Sequence, residues 1–120
     1  MAAEAENELN GPDNAYQYVN KVRERAFDPD QPFSGMTQET FRQAIRDERK
    51  WELCGEMHRK QDLIRWGIFV ETVQNTNWRN WNKAAAENIK PIHVKCPIPL
   101  DEILRNPNLL NTDPTNNGYR

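Results

Sequence analysis

The prolines at positions 91, 97, 99, 107 and 114 limit this chain more than any other feature. A proline lacks the backbone N–H and its ring clashes with the preceding turn, so no long helix can run beyond residue 90. Before that point, apolar residues recur at helical spacing. From about Asn75 the periodicity fails and Asn, Trp and Pro dominate. Residues 76–120 therefore read as an extended, irregular arm wrapping a helical body, with a short strand at Ile92–Val94 and Cys96 just beyond it.

The helical body divides into three parts. Ala2-Ala3-Glu4-Ala5-Glu6-Asn7-Glu8-Leu9 is a run of good helix formers ending at Asn10-Gly11-Pro12. No capping residue precedes it, so it reads as a helix entered in its middle. Asp13 is the expected cap of a second helix with Ala15, Val19, Val22 and Ala26 on one stripe. Two helices joined by a tight turn make residues 1–27 an αα-hairpin, the unit of tetratricopeptide-like arrays. Residues 28–36 are a Pro/Gly loop. Thr37 is the expected N-cap of the next helix, which passes Phe41, Ala44 and Ile45 towards Leu53 and is weakened at Gly55. A further helical stretch passes Leu63, Ile64, Trp66, Phe69 and Val70, so that 37–75 form a long helical pair. The expected fold class is mainly α. With 37% hydrophobic residues and a mean hydropathy of -0.98, the core can only be modest.

Charges stand where that core should continue. If Phe41 and Ile45 face inwards, the next positions on their stripe are Glu48, Glu52 and Gly55 or Glu56. Carboxylates are seldom buried unless paired. Arg49, Arg59 and Arg65 are near in sequence, and Arg23 and Arg25 lie on the earlier helix. A guanidinium matches a carboxylate in a two-point hydrogen bond. One reading is a partly buried Glu–Arg network joining helices, with Asp62 a further member; a Glu52→Gln change should then be costly. The other reading is a solvated, salt-bridged face worth little per pair.

Other constellations carry less. Trp78 and Trp81, beside Asn75, Asn77, Asn80 and Asn82, suit a sugar platform of rings and amides, or else anchor a loop. Cys54 with His58 and His93 with Cys96 have ligand-like spacing, but no zinc pattern joins the pairs, and Cys54 reads as a small hydrophobe. No metal or cofactor is expected. A net charge of -2 argues against nucleic acid as a partner. No catalytic motif stands out, and no run is long and apolar enough to span a bilayer.

Glu48-Arg49, Glu52-Leu53, Glu56, Arg59 and Asp62-Leu63-Ile64-Arg65-Trp66-Gly67 together resemble the ER-x-x-EL-x-x-E…R-x-x-DLIRWG signature of the SusD/RagB family. Ala5-Glu6-Asn7-Glu8-Leu9 resembles its AEA-x-NEL helix, and Val19 to Ala26 its (I/V)N-x-VR-x-RA helix. Pro97-Ile98-Pro99, Asn106-Pro107-Asn108-Leu109 and Gly118-Tyr119 resemble its PIP, NPNL and closing GY segments. The usual QNPGY-like ending is altered here, which leaves the packing of the tail open.

The resemblance implies a segment of a longer, non-enzymatic protein. Family members are outer-membrane, cell-surface lipoproteins that bind oligosaccharides or peptides and partner a TonB-dependent transporter in uptake. The opening residues here contain no lipoprotein signal. By this resemblance Glu48, Arg49, Glu52, Arg59, Asp62 and Arg65 are structural ionic positions, no ligand-binding residue carries over, and the segment is mainly scaffold. The alternative is a free-standing helical protein-interaction module without glycan binding. A hairpin without neighbouring repeats should expose an apolar face, so self-association is expected.

Overall fold

The computed structural model describes residues 1–77, 83–111 and 113–119. They form two compact units, Met1–Arg59 and Lys60–Arg120. The described residues are helical and contain no strand, as the mainly α reading requires.

The first unit holds α1 (Ala2–Asn10), α2 (Tyr16–Ala26) and α3 (Gln38–Glu52). Gly11, at φ +86°, ends α1, and its N–H donates to Asn7 O at 3.1 Å. Asp13 is not the cap of α2. The helix is entered one residue after Ala15, through a turn in which Ala15 N and Tyr16 N both donate to Pro12 O. Proline suits that position because the turn needs its carbonyl and not its N–H. Thr37 does cap α3, its Oγ1 accepting from Thr40 N at 3.2 Å. The core gathers Ala3 and Ala15 with Val19, Phe41 and Ile45, and Tyr16, Phe33 and Met36 pack against it. Phe41 is fully buried and meets the Tyr16 ring edge-on at 5.1 Å and the Phe33 ring at 6.5 Å.

Polar side chains tie these pieces together. Asn7 Nδ2 donates to Gln38 O at 3.1 Å, and Gln38 Nε2 returns a bond to Asn7 O at 2.6 Å, joining α1 to the start of α3. Arg42 forks onto Glu8 with two bonds of 2.7 Å, and this pairing holds the Glu8 carboxyl below its usual range. The loop 28–36 is strapped to α2. The Asn20 amide exchanges bonds with both backbone groups of Phe33 at 2.8 and 3.1 Å, and Met36 N donates to Tyr16 Oη at 2.7 Å.

The helix expected to weaken at Gly55 ends outright at Glu52. Gly55 and Met57 both take positive φ before α4 (Arg59–Arg65) begins. The stretch expected to run on through Trp66 is divided at Gly67 from α5 (Phe69–Asn75). At this break Ile68 N donates to Leu63 O and Gly67 N to Ile64 O, each at 3.0 Å. That pair of bonds is a Schellman cap, which needs a left-handed residue, and Gly67 sits at φ +73°. The glycine closing Asp62-Leu63-Ile64-Arg65-Trp66-Gly67 is thus a helix stop.

The second unit continues with α6 (Lys83–Asn88), a 3-10 turn at Pro91–Val94, α7 (Leu100–Arg105) and a 3-10 turn at Pro107–Leu110. The strand expected at Ile92–Val94 is that first turn. Lys90 N donates to His93 Nδ1 at 2.9 Å and Pro91 opens the turn, a use of proline that favours a helical start over a ladder. The prolines do exclude long helices here, but the chain answers with short helical pieces rather than an extended arm. The tail folds back on Pro97-Ile98-Pro99. Buried Asn116 accepts from Ile98 N at 2.7 Å and donates to Ile98 O at 3.1 Å. Asn117 Nδ2 donates to Cys96 O, and Tyr119 Oη to Lys95 O. The Asp113 carboxylate accepts from the Thr115 hydroxyl and the Thr115 and Asn117 N–H groups, which holds its pKa low. Gly118, at φ +88°, leaves no room for a side chain, because a Cβ would lie 2.7 Å from Ile92 Cγ2.

Candidate functional site

The charged positions on the α3 stripe meet α2. Arg23 Nη1 donates to Glu48 Oε2 at 2.6 Å, and Arg25 Nη2 pairs with Glu52 one turn further on. The two pairs differ in environment. Arg23 and Glu48 keep 11% and 15% of their side-chain exposure, whereas Arg25 keeps 70%. Arg23 is also held from other sides. Its Nε donates to Gln31 O at 2.5 Å, and its guanidinium lies 4.0 Å from the Phe33 ring centre and 4.5 Å from that of Phe27. Such stacking is favourable when partly desolvated. Glu52 and Arg25, being open to water, form a pair worth at most about 1 kcal/mol. The weight placed on Glu52 by its spacing therefore belongs to Glu48.

The remaining ionic positions lie elsewhere. Arg59 Nη1 reaches Arg46 O at 3.4 Å, a long contact. Buried Asp62 accepts from Arg65 Nη2 at 3.1 Å within α4, and Arg65 also lies 5.2 Å from the Trp66 ring. Arg49 borders a groove of about 290 Å³ between α1, α2 and α3. That groove is lined mainly by Ala2, Ala3, Val19, Val22 and Leu53, with Glu48 and Glu52 on its edge. A second groove, of about 580 Å³, runs between the end of α2 and α3, with Phe27, Phe33, Asp47 and exposed Trp51 in its walls. Trp78 and Trp81 lie outside the described residues. Cys54, expected to pack as a small hydrophobe, is exposed because the chain has left α3 before reaching it. Among the described residues no group of three or more His, Cys, Asp or Glu side chains could hold a metal ion, and no helix is long and apolar enough to cross a membrane.

Several working residues escape periodicity. Asn7, Asn20 and Gln38 bind backbone groups across 31 and 13 residues of sequence, contacts that a search for apolar stripes passes over. Their signal is an amide inside a helix, where asparagine is a poor helix former and is better placed if it bonds a neighbouring chain.

The whole chain aligns with SusD-like protein P25 of Formosa agariphila, 60% identical over an alignment of 122 positions that covers 23% of that protein. It is 33% identical over 126 residues to SusD-like protein P2 of the same organism, covering 24%. It thus spans about a quarter of the length of the curated relatives it matches. No solved structure matches the chain. The SusD family model matches residues 1–119, and with so nearly complete a match the chain belongs to the SusD family.

Proposed function

We propose that this chain is a scaffold segment of a cell-surface protein that binds glycan, or peptide, and passes it to a TonB-dependent transporter in the outer membrane. The observation that carries the reading is the family match along residues 1–119. The fates of the motif residues support the scaffold part. Glu48 pairs with Arg23 between α3 and α2, Asp62 with Arg65 within α4, Gly67 stops a helix and Asn7 bonds Gln38, contacts that support a structural use of the signature. Glu48, Arg49, Glu52, Arg59, Asp62 and Arg65 act on this reading as structural ionic positions, and the protein performs no chemistry on its ligand.

Affinity capture tests this directly. An antibody against this segment, applied separately to the cytosol and to gently solubilised envelopes of the source cells, should recover the polypeptide from the outer-membrane fraction with a TonB-dependent transporter in comparable amount. Recovery from the cytosol, or from the outer membrane with no transporter, would overturn the reading. Recovery with other soluble proteins instead would favour a free-standing interaction module.

A further inference from the structure

The wider groove of the first unit, between the end of α2 and α3, encloses about 580 Å³, a size in the range of ligand-binding clefts. Phe27, Phe33 and Trp51 supply its aromatic surface, and Asp47, Glu48 and Glu52 its carboxylates. Glu48 is paired with Arg23 in the same wall, and Glu52 is paired from outside with Arg25. Asp47 is left without a counter-charge. It is exposed, and its partner among the described residues is neutral, Gln43 Nε2 donating to Oδ2 at 3.1 Å. Trp51 stands one helical turn further along α3, on the same side, and is 69% exposed. A large ring and an unpaired carboxylate, side by side and open to water, contribute nothing to the packing of the unit. The protein already shows what such a pair can hold. The Arg23 guanidinium lies 4.0 Å from the Phe33 ring centre and 4.5 Å from that of Phe27 while donating to Glu48 at 2.6 Å. Lys50 Nζ lies 4.6 Å from the Trp51 ring centre, so that ring also accepts a cation.

We infer that this groove is a docking site for an arginine side chain carried by a separate partner protein, its guanidinium flat against Trp51 and bonded to Asp47. Charge selects the occupant. An anion would be repelled by the acidic wall, and a neutral side chain would leave Asp47 unanswered. Arginine fits better than lysine because its planar group stacks on a ring and presents a fork to a carboxylate at once. Trp and Arg are also the residues that most often anchor protein interfaces. Asp47 precedes the ER-x-x-EL signature and Trp51 fills one of its unspecified positions, so the signature does not account for either. The inference therefore goes beyond the scaffold reading and does not depend on it.

The test labels the tryptophans with fluorine and follows the Trp51 resonance, identified by its loss in Trp51→Phe, by NMR. A capped Gly-Arg-Gly peptide is titrated against its citrulline analogue, which keeps the shape without the charge, and against its lysine analogue. The titrations are made on the 120-residue chain and on a hybrid of SusD-like protein P25 whose matched segment is replaced by this chain. The Trp51 resonance should move saturably with the arginine peptide, with an affinity roughly tenfold above that of the citrulline peptide and clearly above that of the lysine peptide. Asp47→Asn, a change at an exposed position that should leave the fold intact, should remove most of that preference. Asp101→Asn, the same loss of charge in the other unit, should leave it unchanged. No saturable movement, equal response to citrulline or lysine, or a preference that survives Asp47→Asn would each overturn the inference. A response in the chain but not in the folded hybrid would also overturn it, because the groove would then be filled by the rest of the same polypeptide. If either protein does not fold, the other decides.

Discussion

Phe41→Ala should abolish cooperative unfolding of residues 1–59. Phe41 is fully buried, with the Tyr16 and Phe33 rings edge-on against it, and it lies at the centre of the first unit's core. Removing a buried phenylalanine costs about 3–5 kcal/mol, partly in lost transfer energy and partly in the cavity left behind. A unit of this size has little more stability than that to lose. Circular dichroism on heating should show its sigmoidal transition flattened or shifted down by tens of degrees, at about 4–8 °C per kcal/mol. The change should also loosen the 28–36 loop, because Phe33 loses the surface it leans on. A variant melting within a few degrees of wild type would mean that the unit is not organised around this ring.

Glu48→Gln should be the second most damaging single change. It leaves the Arg23 guanidinium, at 11% exposure, without its counter-charge. Breaking a buried pair from one side costs about 3–5 kcal/mol. Here the loss should be about 2–4 kcal/mol, because Arg23 keeps the Gln31 carbonyl and both phenylalanine faces and some water reaches the pair. Arg23→Met combined with Glu48→Leu should cost less than either single change, since no charge is then stranded. Glu52→Gln is the internal control. Its partner Arg25 is largely exposed, so the loss should stay below about 1 kcal/mol. Chemical denaturation of these variants checks the assignment, and equal losses from Glu48→Gln and Glu52→Gln would refute the pair as the pin between α2 and α3.

The residues that could be read in the chain are those whose physics is local. Helix-forming composition marks α1, helical spacing marks α2 and α3, Thr37 announces its own cap, and the late prolines rule out long helices. Sequence patterning misleads where a distant partner or a single turn decides the outcome. Asp13 has the chemistry of a cap, but the Pro12 carbonyl had already taken the turn. Ile92–Val94 has strand-like residues, but a proline before it and His93 bonding back to Lys90 wind it into a turn. The Glu–Arg contacts were legible as a type of interaction and not as pairs. Spacing puts Glu48 and Glu52 on one face equally, and only burial separates them. Asn116, four residues from the end, gave no sign that its amide would clamp Ile98, a contact across 18 residues.

The central claim, that this segment holds a binding protein together without itself holding the ligand, is tested most directly by one thermal melt. The 120-residue chain is heated with and without a panel of neutral, amino and acidic oligosaccharides. Binding to the folded state raises the midpoint by mass action, about 2.7 kcal/mol of added stability at a hundredfold excess over Kd. The account predicts a cooperative transition that no sugar moves. A rise with one class of oligosaccharide would contradict it and place a glycan site in this segment. Trp51 in the wider groove and the Trp78–Trp81 pair would then be the first side chains to replace.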